Sequence, residues 1–110
     1  VEASVSIKSL TAKNNAGSIA TKFSLWREGN RSVYGDIDYV CNPGAGNEYF
    51  LRATRGVAVY TETDHRNFSM DIDIPEGKPT CSSLSVSFSE TAGYDGDKLE
   101  VMAQEIVQVN

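Results

Sequence analysis

The stretch VYGDIDYVC, residues 33–41, decides the fold that this sequence predicts. Every second residue of the stretch, beginning with its first, would share one face of a strand, and that set ends in Cys41. Tyr34, Asp36 and Asp38 would share the other face. A period of two is typical of a half-buried β-strand. The pattern therefore predicts a strand over 33–41 with Cys41 pointing into the core.

The second cysteine, Cys81, lies 40 positions further on. Two cysteines are too few for a zinc site, which needs about four ligands, so we predict a disulfide. The alternative is a pair of unrelated buried thiols in a cytosolic protein. Cys81 is out of phase with the apolar residues of the following strand. Either a bulge lies near 82–83, or Cys81 precedes the strand at the rim, and in both cases the bridge would lie near the edge of the core.

Short alternating stretches separated by Gly, Pro, Asn and Asp turns fill the rest of the chain. The segment Arg55-Gly56 is either a tight turn or a bulge in one long strand. The pattern predicts one all-β domain over residues 1–110, an antiparallel β-sandwich, immunoglobulin-like or a similar Greek key, of about seven or eight strands. The predicted strands are 1–10, 19–27, 33–41, 48–54, 57–63, 68–74, 83–89 and 98–109.

The charge balance excludes some partners. Fifteen acidic and ten basic residues give a net charge of -5, which disfavours nucleic acid and anionic membranes, because both require clustered Lys and Arg. No apolar run approaches the roughly 18 residues of a spanning helix, so no membrane insertion is predicted. The same charge would steer a basic partner toward the protein.

A disulfide in a small β-domain predicts a secreted or periplasmic protein. Since Val1 already begins a strand-like pattern, we expect the mature form, with a signal peptide removed. Asn30 and Asn67 each begin a match to the glycosylation acceptor pattern, which would have no meaning in a bacterial protein.

Few residues offer catalytic chemistry. The single histidine, His65, lies in a predicted polar turn over 64–67, without a nucleophile motif nearby, and we interpret it as a solvated turn residue. Two Asp-x-Asp pairs, 36/38 and 71/73, could flank a sugar bond, yet the same alternation describes a solvent-facing strand. The sequence therefore predicts no enzyme.

A weak calcium pattern lies near the last strand. Asp95, Asp97 and Glu100 offer oxygen ligands around a glycine, although the full twelve-residue calcium loop is missing. The alternative is a hairpin turn that uses Asp-Gly for its dihedral angles. No other cofactor is predicted.

Beside catalysis and metal binding, the residues could serve to recognise a binding partner. Loops on a rigid scaffold commonly carry function, and the 42–47 and 90–97 loops are the predicted contact segments. Exposed aromatic rings would add contact area at small entropic cost. For the single tryptophan, the alternative is a place in the sandwich core. The predicted binding residues are Trp26, Tyr34, Asn42, Pro43, Gly44, Asn47, Tyr94 and Asp95.

The leading hypothesis is a non-catalytic exported binding protein that acts on a protein partner, such as an inhibitor, an immunity protein or a surface adhesin. The alternative is a carbohydrate-binding module, calcium-assisted through Asp95 and Asp97.

Overall fold

A computed structural model describes residues 2–110, and Val1, predicted to start the first strand with an inward side chain, lies outside the described residues. Within 2–110 the structure has seven strands and no helix. The strands are β1 (Ala3–Asn15), β2 (Ser18–Gly29), β3 (Val33–Cys41), β4 (Tyr49–Val59), β5 (His65–Asp73), β6 (Ser83–Thr91) and β7 (Lys98–Gln108).

The strands form two antiparallel sheets that enclose one core. The three-stranded sheet has the order β1-β2-β5, and the four-stranded sheet has the order β4-β3-β6-β7. In a constant-type immunoglobulin domain the fourth strand joins the sheet of the first, second and fifth strands. Here β4 pairs with β3 instead. The structure confirms the predicted all-β antiparallel sandwich. The number of strands is the lower of the two predicted values.

The core follows the predicted period of two. On β2 the inward residues Ile19, Phe23 and Leu25 are buried, and the alternating apolar residues of β6 are fully buried as well. Phe23 meets Tyr39 of the opposite sheet edge-to-face, with ring centroids 6.2 Å apart. Strict alternation along β2, β3 and β6 therefore places one face of each strand in a shared apolar layer.

The disulfide joins Cys41 to Cys81, whose Cα atoms are 5.2 Å apart, and no free cysteine remains. Both residues are buried. Because β6 begins at Ser83, Cys81 precedes the strand, which selects the second of the two predicted placements. The bridge ties the end of β3 to the entry of its neighbour β6 in the same sheet.

The segment Arg55-Gly56 forms a bulge in one long strand and not a tight turn. Thr54 pairs with Ile37 and Val57 pairs with Gly35, so two residues of β4 oppose one residue of β3. Gly56 takes a φ of 69°, which favours glycine. One strand therefore runs through, and it ends at Val59, so the predicted strand 57–63 is wrong in extent.

Two turns differ from those that the sequence predicts. The turn between the predicted strands 1–10 and 19–27 is only two residues long, Ala16 and Gly17, with φ values of 50° and 92°. Such a turn matches the twist of a hairpin, so both strands continue up to it. The turn placed at 64–67 lies earlier, because β5 begins at His65, which pairs with Trp26. His65 and Asn67 lie on the outward face of β5, whereas Arg66 pairs with Leu25 on the inward face.

The antiparallel pairing divides the loops between two ends of a molecule that extends over 43 Å. Gly35 pairs with Glu90, whereas Cys41 pairs with Leu84. The 30–32, 60–64 and 92–97 turns therefore lie together, and we call this the tyrosine end. The 16–17, 42–48 and 74–82 segments lie at the opposite, disulfide end. The predicted contact loops 42–47 and 90–97 thus cannot form one surface.

Candidate functional site

Three tyrosines meet at the tyrosine end, on the outer face of the four-stranded sheet. Tyr34 comes from β3, Tyr60 directly follows β4, and Tyr94 lies in the 92–97 turn. The ring centroid of Tyr34 is 6.2 Å from that of Tyr60 and 5.3 Å from that of Tyr94. The hydroxyl oxygens of Tyr60 and Tyr94 are 2.9 Å apart and share a hydrogen bond. We call these three residues the tyrosine cluster.

The β4 bulge makes room for this cluster. A Cβ atom at Gly56 would lie 3.3 Å from Cδ1 of Tyr94, so the glycine lets the ring rest against the strand. The Asp36 carboxylate accepts hydrogen bonds from the Gly56 N–H at 3.3 Å and from Nη1 of Arg55 at 3.1 Å. An acidic residue of β3 therefore holds the bulge on which Tyr94 packs.

The cluster presents its rings to solvent. Tyr60 is 40% exposed and Tyr94 is 51% exposed, two of the large apolar surfaces that the fold leaves uncovered. The hydrogen bond with Tyr94 is the main cause that raises the pKa of the Tyr60 phenol above its ordinary value.

Arg27 fixes two of the turns around the cluster. Its side chain is 4% exposed and donates to the carbonyl oxygens of Gly29 and Arg31 at 2.6 and 3.1 Å. The same guanidinium donates to Oδ1 of Asp64 at 2.7 Å. The 30–32 and 60–64 turns are therefore held by one buried cation.

A second arginine reaches the neighbouring strand. Arg31 donates to both carboxylate oxygens of Glu90, which is buried at the end of β6. The hydrogen bond to Glu90 is also the main reason why the pKa of the Arg31 guanidinium lies above its ordinary value. The Ser32 hydroxyl accepts the N–H of Thr61 at 3.2 Å. These contacts preorganise the scaffold around the tyrosine rings.

The carboxylates near the cluster fall into two groups. On the sheet face, Asp36 is paired with Arg55, and Asp38 is paired with Lys98. On the turns and the start of β7, no Lys, Arg or His nitrogen of residues 2–110 lies within 4.0 Å of the remaining carboxylates. These are Glu62, Asp95, Asp97 and Glu100.

The structure separates the predicted binding residues. Tyr34, Tyr94 and Asp95 belong to the tyrosine end, while Asn42, Pro43, Gly44 and Asn47 lie at the disulfide end.

The side chain of Asn42 is engaged in hydrogen bonds within the fold. It is buried, its Oδ1 accepts the Ser82 N–H at 2.9 Å, and its Nδ2 donates to the Thr80 carbonyl at 3.0 Å. Its backbone N–H donates to Ser83 at 2.8 Å. With a φ of 53° it also makes the turn that follows Cys41. These bonds give Asn42 a structural role beside the disulfide.

Trp26 lies on the outer face of the three-stranded sheet, 36% exposed, so the alternative of a core tryptophan is wrong. The His65 ring stacks on the indole with centroids 4.5 Å apart, and Nζ of Lys8 lies 4.8 Å from the indole centroid. His65, interpreted from sequence as a solvated turn residue, is therefore a strand residue stacked on an aromatic ring. The indole already has two partners of its own chain.

The structure does not arrange the residues of the weak calcium pattern as a metal site. Across residues 2–110, no group of three or more His, Cys, Asp and Glu side chains is arranged to hold a metal ion. Asp95, Asp97 and Glu100 thus remain separate carboxylates on one turn and the strand after it.

A shallow groove of about 410 Å³ crosses the outer face of the three-stranded sheet. It lies beside a bulge in β1, where the ladder shifts between Lys8 and Thr11 and where Ser9 has a φ of 60°. Positive φ is uncommon for serine and marks local strain. The groove is lined by Ser9, Thr11, Lys22, Phe23, Ser24, Asn67, Phe68 and Ser69.

Tyr60 is the member of the tyrosine cluster that the sequence pattern missed. It fell within the predicted strand 57–63, and no local signal distinguishes it. Its partners, Tyr34 and Tyr94, are 26 and 34 positions away along the chain. Only the pairing of β3 with β4 and the fold of the 92–97 turn bring the three rings together.

Fold and site together define a disulfide-bonded β-sandwich domain with a fixed, exposed aromatic cluster at one end. No protein-family model, no curated protein and no solved structure matches the chain.

Residues 2–110 form no helix. No helix long and apolar enough to cross a bilayer is therefore present in this part of the chain.

Proposed function

We propose that this protein is a non-catalytic binding domain that recognises a protein partner through the tyrosine cluster. The observation that carries the proposal is the cluster itself. Rings from three separate segments are held together by ring contacts and a hydroxyl hydrogen bond, yet Tyr60 and Tyr94 are left about half exposed. Such a function would be that of an inhibitor, an immunity protein or a surface adhesin.

Tyrosine suits such a surface for physical reasons. Its ring offers a large apolar area with a polar tip, and only two torsions are lost when a partner docks. The arginine contacts to the 30–32 and 60–64 turns reduce the ordering that binding requires. Aromatic anchors of this kind supply most of the free energy in many protein interfaces.

The cysteines, the histidine and one of the two aspartate pairs considered for catalysis are engaged elsewhere. Both cysteines form the disulfide, and the only histidine stacks on Trp26. The Asp36 and Asp38 carboxylates, considered as a sugar-cleaving pair, each bind a cation of the chain. This distribution supports binding over catalysis.

The buried disulfide supports an exported location, secreted or periplasmic. A disulfide indicates an oxidising environment, because cytosolic thiols are kept reduced. At this site the bridge is buried and stabilises the scaffold, and no free thiol accompanies it.

A differential capture experiment tests the proposal. Immobilised wild-type domain, a Tyr60→Ala/Tyr94→Ala variant and an Asn47→Ala variant are incubated with extract from the native source. Mass spectrometry should identify a protein that the wild type and Asn47→Ala retain and that the double tyrosine variant releases. A partner retained equally by all three, with folding checked by near-UV circular dichroism, contradicts the proposal.

A second candidate function rests on the groove beside Ser9. Hydroxyl, amide and ammonium groups from three strands converge there, the chemistry that a carbohydrate ligand requires. A glycan array comparing the wild type with Lys22→Ala, in calcium and in chelator, tests it. Binding that Lys22→Ala removes would support a carbohydrate-binding module, and an empty array would contradict it.

A further inference from the structure

We infer that the tyrosine cluster binds an arginine side chain of its partner, laid flat on the outward faces of Tyr60 and Tyr94. The inference rests on the proposed function and names the chemistry of the occupant.

The first reason is a difference among the aromatic rings of this chain. Three other rings carry one of the chain's own cations: Lys8 lies 4.8 Å from the Trp26 centroid, Arg66 lies 5.2 Å from that of Phe68, and Lys78 lies 5.5 Å from that of Tyr49. Within residues 2–110, no lysine or arginine lies over a ring of the tyrosine cluster. The electron-rich faces of these rings are therefore open to an external cation.

The second reason is charge. Glu62 follows Tyr60 by two positions, and Asp95 follows Tyr94 directly. Neither carboxylate is paired with a cation among the described residues. The whole chain carries a net charge of -5. Both turns that carry the exposed rings thus also carry a carboxylate without a cation, and the net charge adds a favourable long-range potential.

The packing of the rings selects the shape of the cation. Centroid separations of 5.3 and 6.2 Å mean that Tyr34 is in direct contact with both other rings. The cluster therefore encloses no space for a spherical ammonium group and offers outward faces only. A planar guanidinium stacks on one open face and binds a neighbouring carboxylate with two parallel hydrogen bonds, which lysine cannot do.

Peptide titrations test the inference directly. Hexaarginine, hexalysine and hexacitrulline are titrated into the domain, and the tyrosine ring signals are followed by NMR. Hexaarginine should shift the ring signals of Tyr60 and Tyr94 and bind at least fivefold more tightly than hexalysine. Hexacitrulline, which keeps the shape without the charge, should leave these signals unchanged.

Three variants separate rings from charge. Tyr60→Leu/Tyr94→Leu removes the rings, and Glu62→Gln/Asp95→Asn removes the carboxylates on the exposed turns. Each should weaken hexaarginine binding at least fivefold. Glu76→Gln, an exposed carboxylate at the disulfide end, is the matched control and should change it less than twofold. Hexalysine binding as tightly as hexaarginine, unmoved ring signals, or an equal loss in Glu76→Gln would overturn the inference.

The outcome is distinguishable from failure of the proposed function. If the captured partner depends on Tyr60 and Tyr94 while hexaarginine leaves the rings unmoved, the arginine inference is wrong and the binding function stands. If hexaarginine binds the cluster while the captured partner ignores the tyrosine variants, the proposed function is wrong.

Discussion

At the scale of single residues, Gly35 of β3 lies where the neighbouring strand β6 leaves no room for a side chain. A Cβ atom there would collide with the Ser89 carbonyl oxygen and lie 2.6 Å from Cζ of Phe88. Both neighbours are buried and belong to β6, so neither can withdraw. The close approach holds β3 and β6 together directly behind the tyrosine cluster.

We therefore expect Gly35→Ala to destabilise the domain by about 3 kcal/mol through overpacking. Gly46→Ala is the control, because a Cβ atom at Gly46 meets nothing within 4 Å. That control should change the free energy of unfolding by less than about 0.5 kcal/mol. Urea denaturation of both variants measures the difference, and equal midpoints would show that the β3–β6 contact can relax.

Residue environments that depend on period were predictable from the sequence. Alternation along β2 places Trp26 outward, and the same rule places Cys41 inward. The roles of Asn42 and Tyr60 were not predictable. Asn42 bonds to residues about 40 positions away, and Tyr60 bonds to a residue 34 positions away. A local pattern contains no information about such partners.

At the scale of elements, the disulfide closes a loop of 40 residues between β3 and β6. The chain-entropy model gives about 4 kcal/mol for a loop of this length. The Cys41→Ala/Cys81→Ala variant should therefore lose about 4 kcal/mol of unfolding free energy, measured by urea denaturation at constant pH. A loss below about 1 kcal/mol would mean that the strand pairing alone already restricts the unfolded chain.

Arg27 connects β2 to the turns of the tyrosine end. Arg27→Met keeps the length of the side chain but leaves the Gly29 and Arg31 carbonyls and the Asp64 carboxylate without their donor. We expect a loss of about 2 kcal/mol, because three hydrogen bonds from a buried, charged donor are removed. We also expect faster amide hydrogen exchange in the 60–64 turn.

Arg55→Met is the matched control for this change. The Arg55 side chain is 67% exposed, and its partner Asp36 is buried but also accepts the Gly56 N–H. Because Arg55 is largely solvated and Asp36 keeps this second partner, we expect a loss of only about 1 kcal/mol. A similar loss of stability in both variants would refute the special role of Arg27.

The strands themselves were predictable where alternation is strict, as in β3, whose predicted and observed bounds coincide. The ends of the strands were less predictable from the sequence. A polar residue such as His65 is compatible with a turn or with the outward face of a strand, and only pairing with Trp26 decides. The bulge at Gly56 likewise depends on the Asp36 carboxylate across the sheet.

At the scale of the whole molecule, three of the five tyrosines have pKa values above the ordinary range. Burial is the main cause for Tyr39 and the cause for Tyr49, whereas the hydrogen bond with Tyr94 is the main cause for Tyr60. The folded state therefore holds protons that the unfolded state releases above about pH 10.

Stability should be fully retained below about pH 10 and should fall as the pH rises through the folded-state pKa values. Urea midpoints between about pH 8 and about pH 11 check this. Tyr49→Phe should flatten the decline, because it removes one of the contributing phenols. A midpoint that stays constant or rises over this range would contradict the assignment.

The two-ended architecture follows from the order of the strands, which the sequence pattern could not supply. Eight candidate segments are compatible with many sandwiches, and which loops share an end depends on pairings such as Gly35 with Glu90. The sequence pattern therefore could not show that the predicted contact loops, 42–47 and 90–97, lie at opposite ends.

The most direct measurement is chemical-shift mapping of the isotope-labelled domain with the partner that differential capture identifies. The shifts should concentrate on Tyr34, residues 56–62 and residues 92–98. The 42–48 loop and the groove beside Ser9 should stay unchanged. Shifts that cluster at the 42–48 loop or at the groove, with the tyrosine end unaffected, would contradict the central claim.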